Sequence, residues 1–540
     1  QRRQEAMRLT ATHKMGIAAV IMAGSVLLSR LMGLVRDKVV SWRFGAGSEA
    51  DIYFAAFTVP DFINYLLAGG YMSITLIPLL SRRFEEDPED GWRFFSAVFW
   101  WVTLAVAALS AGAWLLAPEL ARLVGPGFDA TEQARLSFFL RIILPAQVFF
   151  LPGACVSALL YIRKQFLAPA LTPLVYNGCI IAGGLLAPGQ GMEGFCWGVL
   201  AGAALGAFAL PVLAATRTRA PGAPPLPHDG HDGHDGCSGL RLLPVLRHPS
   251  LKRLLLLALP LMIGVSVVVV DEQFVRVFGS LAGEGAVSLL NYARRIMLVP
   301  VGVVAQAAGV ASYPFLASLA AKGDTPGFDA TLNAALRGSL FIVLPLTGYM
   351  IATALPTLGL IFEGGRFSGQ ESLGAAPLLR IMLLSVPFWV IQQIVGRAFY
   401  ACQNTITPAV VGTLATLAVL PLYPPAVARF GSYGVAGLTT LSLFAYTIAL
   451  TALWTRGRGW GAFRGLAFPV GVNALIVLPC TWLAWKCAEL SPALLAARLP
   501  WLPPFFLHGI TLTAALVAFA LPYVALARLF VPEALRWKRR

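Results

Sequence analysis

The sequence predicts an all-α integral membrane protein with about 14 transmembrane helices, built from two parallel six-helix repeats and two further C-terminal helices. Of its 540 residues, 57% are hydrophobic and 12% are charged, and the mean hydropathy is +0.73. Soluble domains carry about 25% charged residues. The apolar runs are long enough to cross a hydrocarbon core, and they are uniformly apolar rather than alternating, which indicates helices and not barrel strands.

The apolar segments follow one another along the whole chain. Their centres lie near residues 25, 67, 105, 149, 177, 204, 266, 302, 347, 388, 418, 443, 476 and 517. An even number of spans puts both termini on one side of the membrane. The basic clusters fall on that same side, so the positive-inside rule predicts cytoplasmic termini. The net charge of +15 is then a property of cytoplasmic loops and does not indicate nucleic-acid binding.

An internal repeat with an offset of about 239 residues relates the two halves. Three pairs share this offset: LRI at 140–142 and 379–381, Tyr161 and Tyr400, and Phe128 and Phe367. Transporters built from such repeats bind their substrate at the repeat interface near the bilayer midplane. The predicted domains are an N-terminal six-helix lobe (1–219), a linker (220–240), a C-terminal six-helix lobe (241–455) and two extra helices (456–540).

The linker contains the sequence HDGHDGHDG from His228 onward. Three histidines that alternate with aspartates are compatible with a zinc or nickel site. The surrounding proline and glycine are typical of a hydrated, flexible tether between two halves, and we favour that interpretation. We expect no metal and no other cofactor.

Charged residues interrupt the first span. Arg30 lies well inside the apolar run, and Arg36 follows it about 120° further around the helix. An arginine at the centre of a span costs roughly 2.5–3.5 kcal/mol, so it is expected to face protein or a wet cavity. The alternative, strongest for Arg36 beside Asp37, is an arginine that snorkels to the membrane surface.

The second half repeats this pattern. Asp271, Glu272 and Arg276 interrupt the seventh span, and Arg294 and Arg295 lie in the eighth. Mutual neutralisation of Asp271 and Arg276 is the structural alternative. A cationic cavity implies an anionic substrate, which an anionic solute, an anionic lipid or a lipid-linked glycan would satisfy. The sequence has neither a nucleotide-binding loop nor a nucleophile–base motif, so we expect a transporter and not an enzyme.

Several segments together resemble the lipid II flippase family (MurJ/MviN), within the superfamily of multidrug and polysaccharide exporters. They are SRLMGLVRDKVVSWRFGAGSEADIYFAAFTVPDF in the first two spans, NYARRIMLVPVGV in the eighth and IFEGGRFS after the ninth. The resemblance implies outward flipping of the undecaprenyl-diphosphate-linked peptidoglycan precursor across the bacterial inner membrane by alternating access, for cell-wall synthesis. It also implies that the last two helices form a groove for the prenyl tail.

The resemblance assigns a substrate-binding set to numbered positions of this chain. Arg30, Arg36 and Arg295 match the family's cavity arginines, and guanidinium groups suit a diphosphate because they donate bidentately. Asp37 and Asp51 match nearby acidic positions. The remaining candidates for this set are Ser29, Asn64, Arg276 and Arg294.

Three spans, the second, the eighth and the eleventh, depart from the family pattern. Asn64 replaces a usual cavity arginine, Leu298 replaces a frequent glutamate, and the eleventh span lacks the polar residues that hold sodium in some members. Asp271 alone remains as an ion-site candidate. We therefore expect coupling to membrane potential rather than to sodium, and an alternative substrate is another polyprenyl-diphosphate-linked oligosaccharide. We expect a monomer in the bilayer.

Overall fold

The computed structural model describes residues 24–25, 27–68, 75–186, 189, 191–217, 240–459, 463 and 465–530, and most of these are helical. This part of the chain contains no β-strand. Ten of its helices are long and apolar enough to cross a membrane, by length and composition. The predicted all-α membrane fold is therefore confirmed.

The helices before residue 250 are short near the start and long afterwards. They are α1 (27–44), α2 (Ser48–Ala56), α3 (Thr58–Ala68), α4 (Ile77–Glu86), α5 (Pro88–Leu115), α6 (Ala117–Val124), α7 (Ala130–Ile162), α8 (Leu167–Leu186) and α9 (Glu193–Arg217). The proposed linker, with its HDG repeats, falls mainly outside the described residues.

From residue 250 the chain continues through ten further helices. They are α10 (Ser250–Ser280), α11 (Ala286–Pro300), α12 (Gln306–Lys322), α13 (Thr325–Ala352), α14 (Ala354–Phe362), α15 (Gly369–Ala401), α16 (Ile406–Phe430), α17 (Ser432–Arg458), α18 (Ala467–Arg498) and α19 (Pro504–Phe530). A π-helical turn at Val301–Ala305 joins α11 to α12.

Four of the predicted spans are absent from the ten apolar helices. Their centres lie near residues 25, 67, 266 and 302, in or beside α1, α3, α10 and the π-helical turn. The count of ten covers only the described residues, and parts of the first two predicted spans lie outside them. The predicted total of about 14 spans is therefore roughly consistent with the structure.

The internal repeat is visible in the local structure of α7 and α15. The N3 residues Glu132 and Glu371 each accept a hydrogen bond from the N–H of the N-cap residue, and they lie 239 positions apart. Lys164 and Gln403, with the same spacing, both adopt left-handed backbone conformations (φ 57° and 58°) just past the ends of these helices. A left-handed residue commonly ends a helix, so the two helices begin and end alike.

Two compact units make up the chain. The first contains Gln1–Val40 and Ile52–Val269, and the second contains Ser41–Asp51 and Val270–Arg540. The chain thus passes through the second unit at residues 41–51 before it completes the first. In the second unit, α13, α18 and α19 share an apolar core that includes the small residues Ala352, Ala484 and Ala515, which allow close helix approach.

Candidate functional site

Arg36, in the first unit, is held by three side-chain hydrogen bonds. Its Nε and Nη2 donate to Oδ1 of Asp37 at 3.0 and 2.8 Å, and its Nη1 donates to Oδ1 of Asn177 at 3.3 Å. Asn177 is itself fixed, because its Nδ2 donates to the carbonyl oxygen of Pro173 at 2.8 Å. A guanidinium has five N–H donors, so these contacts orient the Arg36 group and leave donors for a ligand.

Burial distinguishes this arginine from the aspartate beside it. The Asp37 side chain is fully buried, whereas that of Arg36 keeps 15% of its surface exposed. The buried Asp37 carboxylate therefore orients the Arg36 guanidinium and does not itself face a ligand. A snorkelling arginine would extend away from protein partners, and the two protein contacts of Arg36 argue against that alternative.

The other first-unit candidates are less constrained. Arg30 is exposed on α1 and has no ion-pair partner in the described ranges, and Ser29 next to it is half-buried. Asn64 is half-buried on α3 and likewise makes no side-chain hydrogen bond there. Of the predicted residues in this unit, the structure brings Arg36 and Asp37 into direct contact with each other.

The second unit holds a mixed cluster of charges on α10 and α11. Arg294 donates to Oδ2 of Asp271 at 3.4 Å, and Arg276 donates to Oε1 of Glu272 at 3.1 Å and to Oε1 of Gln273 at 3.2 Å. Asp271 and Arg276, expected as possible partners of each other, are thus each held by a different residue. Residues four apart share a helix face, whereas residues five apart do not, so Arg276 meets Glu272 instead.

Arg295 belongs to the same cluster. Glu272 lies within electrostatic range of Arg276, Arg294 and Arg295. The cluster thus contains three arginines and, with Asp271, two carboxylates, which leaves one net positive charge among these five residues. Arg294 is buried and Arg295 half-buried, as expected for neighbours that point about 100° apart on one helix.

Asp271, the candidate for an ion site, is paired with an arginine. Its Oδ2 already faces the Arg294 guanidinium at 3.4 Å, and a second cation at this carboxylate would be repelled. Its Oδ1 is buried without a hydrogen-bond partner in the described part of the chain. Tyr423 and Thr439, which carry nearby hydroxyl groups, are paired with each other at 3.3 Å. The described residues also hold no group of three or more His, Cys, Asp or Glu that could bind a metal.

Asp51, a residue of α2, contacts the start of α11 within the second unit. Its Oδ2 accepts from the N–H of Gly285 at 2.7 Å, and its Oδ1 accepts from the N–H and Oγ of Ser288 at 2.7 and 2.6 Å. The side chain is buried. The carboxylate therefore satisfies the orphan N–H groups of a helix N-terminus, where negative charge is favoured.

The rest of the 41–51 segment is held by similar contacts. Ala46 N–H donates to Oε1 of Glu371 at 2.6 Å, and Ser48 N–H donates to Oε1 of Glu284 at 3.2 Å. The Arg366 N–H donates to the carbonyl oxygen of Trp42 at 2.8 Å. The segment is fastened by hydrogen bonds along its whole length.

Glycine permits this close fit at Gly285. Its φ of +79° is left-handed, and a Cβ there would collide with the carbonyl oxygen of Ala46. An L side chain would therefore be both strained and obstructed. The position of the 41–51 segment depends on this glycine as well as on Asp51.

Four partner residues in these contacts were not predicted from the sequence: Asn177, Ser288, Glu284 and Glu371. Asn177 had a usable signal, because it is a polar residue inside an apolar span. The other three had none, since a serine or glutamate near a loop is ordinary in sequence. Their importance depends on contacts with residues more than 230 positions away.

Two solved structures share this fold. "Lipid II flippase MurJ, inward closed conformation" aligns with a TM-score of 0.76 at 22% identity, covering 96% of this chain and 100% of that one. An inward-facing multidrug-resistance MATE transporter of the MOP superfamily aligns with a TM-score of 0.65 at 14% identity, covering 83% and 99%. The fold is that of the transporters of this superfamily.

The family of this chain follows from its sequence. The family model for lipid II flippase MurJ matches residues 40–492. The probable lipid II flippase MurJ of Rhizobium meliloti (strain 1021) is 27% identical over 497 residues, covering 87% of each chain. The chain belongs to the lipid II flippase MurJ family, which confirms the resemblance. With its ten apolar helices, it is a multi-pass protein of the bacterial inner membrane.

Proposed function

We propose that this protein flips lipid II from the cytoplasmic to the outer leaflet of the bacterial inner membrane by alternating access. Membership in the lipid II flippase family, combined with arginines inside membrane helices, supports this function. A lipid-linked diphosphate is an anion that must pass through an apolar barrier. Guanidinium groups replace its hydration with directed, charge-assisted hydrogen bonds.

We assign distinct roles to the candidate residues. Arg30, Arg36 and Arg295 bind the diphosphate, because Arg30 and Arg36 keep exposed surface and Arg295 is only half-buried. Asp37 and Asn177 position the Arg36 guanidinium. Ser29 and Asn64 stay candidates for contacts with the polar head group, and Arg276 and Arg294 balance Glu272 and Asp271 within the second-unit cluster.

Asp51 has a different role in this proposal. Both of its oxygens are occupied by α11 donors, so it fastens the 41–51 segment and does not bind substrate. Alternating access requires contacts that form in one state and break in another. The hydrogen bonds of the 41–51 segment are suited to this, since water can replace them on release.

The two C-terminal helices suit the prenyl tail. Their large apolar side chains include Leu475, Leu478, Trp482 and Leu521, each more than half exposed. A long polyprenyl chain can lie along such a surface while the head group is moved. We further propose that the protein acts as a monomer with both termini in the cytoplasm, as the basic clusters predict.

Native mass spectrometry tests the substrate assignment. Purified protein should retain lipid II in preference to undecaprenyl phosphate and to phospholipid, because only lipid II combines the diphosphate with the glycan. Preference for a different polyprenyl-diphosphate-linked oligosaccharide would support the alternative substrate, which Asn64 favours by replacing a usual cavity arginine. Equal retention of all lipids would contradict both assignments.

A further inference from the structure

An apolar cavity of about 600 Å³ opens in the first unit, and none of the candidate arginines is among its lining residues. Its walls come from α5, α7 and the start of α10. Residues that line it include Val98, Trp101, Val102, Leu151, Leu251 and Leu254. The volume lies within the roughly 300–1,000 Å³ typical of ligand pockets.

One wall is a non-helical segment that α5 holds in place. The indole N–H of Trp100 donates to the carbonyl oxygen of Leu243 at 3.0 Å, and that of Trp101 donates to Leu246 at 2.7 Å. The Leu243 N–H donates to Oγ of Ser96 at 2.9 Å. These bonds fix the backbone that precedes α10, so the cavity is built into the fold.

His248 completes this wall. Its Nδ1 accepts from the N–H of Ser250 at 3.1 Å, so in the neutral ring Nε2 carries the hydrogen and donates to Oδ1 of Asp90 at 3.0 Å. Asp90 also receives a hydrogen bond from Arg83 at 3.3 Å. The nearby carboxylate is thereby engaged by two partners and does not neutralise the basic residues at the cavity.

Those basic residues are Arg247 and Lys252, which line the cavity, with Arg241 and Arg253 close by in sequence. All four are exposed, and none has an ion-pair partner among the residues that the structure describes. An apolar cavity with two cations in its lining is complementary to a molecule with an apolar chain and an anionic head.

We propose that this cavity binds an anionic phospholipid, with an acyl chain inside it and the phosphate between Arg247 and Lys252. The setting supports a bilayer lipid: Trp101 is 53% exposed, as at a membrane interface, and Leu255 and Leu256 are more than 60% exposed. The basic cluster also lies on the side predicted to be cytoplasmic, where anionic lipids attract basic residues. The acidic, glycine-rich linker that precedes residue 240 has a single large apolar side chain, Leu226, which is too little to fill the cavity.

Lipid binding to the full-length protein tests this site. Native mass spectrometry would compare phosphatidylglycerol with phosphatidylcholine of the same acyl chains. Each basic residue near an anionic lipid surface is worth about 1 kcal/mol, or about fivefold in affinity. The R247Q/K252Q variant, which removes two such residues, should therefore lose the preference for phosphatidylglycerol by about 25-fold, while the control K322Q/R456Q, which removes the same charges elsewhere, should keep it.

A second variant tests the apolar part of the site. A105F places a ring in the cavity without changing any charge, and it should also reduce phosphatidylglycerol retention several-fold. Equal retention of the two lipids by the unmodified protein would overturn the proposal. So would an unchanged preference in both R247Q/K252Q and A105F, or a several-fold rise in phosphatidylglycerol retention when residues 220–236 are deleted, which would show that the linker occupies the site.

Discussion

Replacing Asp51 should loosen the contact between the end of the 41–51 segment and the start of α11. Asp51→Ala removes the acceptor for three donors, the N–H groups of Gly285 and Ser288 and the Ser288 hydroxyl, at 2.6–2.7 Å. Hydrogen bonds to a charged group contribute about 1.5–3 kcal/mol each, and loss of an N-cap costs about 0.5–2 kcal/mol. Removing the carboxylate also removes the free-energy cost of burying its charge. The net loss of free energy is therefore smaller than the sum of three hydrogen bonds.

The expected net loss is about 2–4 kcal/mol in the free energy that holds the segment in place. Since about 1.36 kcal/mol is a factor of ten, the amides of Gly285 and Ser288 should exchange with deuterium roughly 30-fold to several hundred-fold faster. Asp51→Asn should have a smaller effect, because it keeps one acceptor oxygen while losing the charge. Hydrogen–deuterium exchange of the 285–288 peptide measures this directly.

Asp129→Ala is the matched control. Asp129 caps α7 by accepting from the N–H of Glu132 at 2.7 Å, so it has the same chemistry in a different place. It should speed exchange at Glu132 and leave Gly285 and Ser288 protected. Unchanged protection of Gly285 and Ser288 in Asp51→Ala would refute the fastening role.

Three further predictions concern substrate, linker and energy. Asn177→Ala should weaken lipid II binding about fivefold, because it frees the Arg36 guanidinium but does not remove it. Arg36→Ala should weaken binding at least tenfold more, and Arg36→Lys should have an intermediate effect. Equal effects of Asn177→Ala and Arg36→Ala in a binding titration would count against a positioning role for Asn177. Deleting residues 228–236 should leave transport intact, because a hydrated tether needs length rather than sequence, and activity that depends on zinc only when the linker is present would contradict this. Dissipating the potential with valinomycin and potassium should slow flipping, since one charge moving through 100 mV is worth about 2.3 kcal/mol; a rate that follows sodium at constant potential would show that Asp271 binds the ion after all.

The sequence predicted the fold class because hydropathy and positive charge can be read from each short segment without knowing its contacts. An apolar run of sufficient length must form a helix in lipid, whatever its neighbours are. The repeat was also readable, and the structure extends it to the matching helix ends at Lys164 and Gln403. Arg36 and Asp37 were identifiable for the same reason, since a charge inside an apolar run needs no partner to be noticed.

Contacts between residues that are distant in the chain could not be predicted from the sequence. Asn177 reaches Arg36 across 141 positions, and Asp51 reaches Ser288 across 237. Nothing in the sequence near Asp51 distinguishes a helix-capping aspartate from a substrate ligand. The pairing of Arg276 with Glu272 is different, because a spacing of four residues on a helix predicts it. The sequence interpretation had considered only Asp271 as the partner of Arg276, and that as an alternative.

Arg30, Arg36 and Arg295 are proposed to bind the diphosphate during lipid II transport. The rate of lipid II flipping in proteoliposomes, with each arginine replaced in turn by alanine, tests this role directly. Arg141→Ala is the control, because this arginine lies on a membrane helix but stacks on the Trp114 ring at 5.2 Å. We predict that each of the three cavity variants loses most of the rate while Arg141→Ala retains it; wild-type rates in all three would contradict the account.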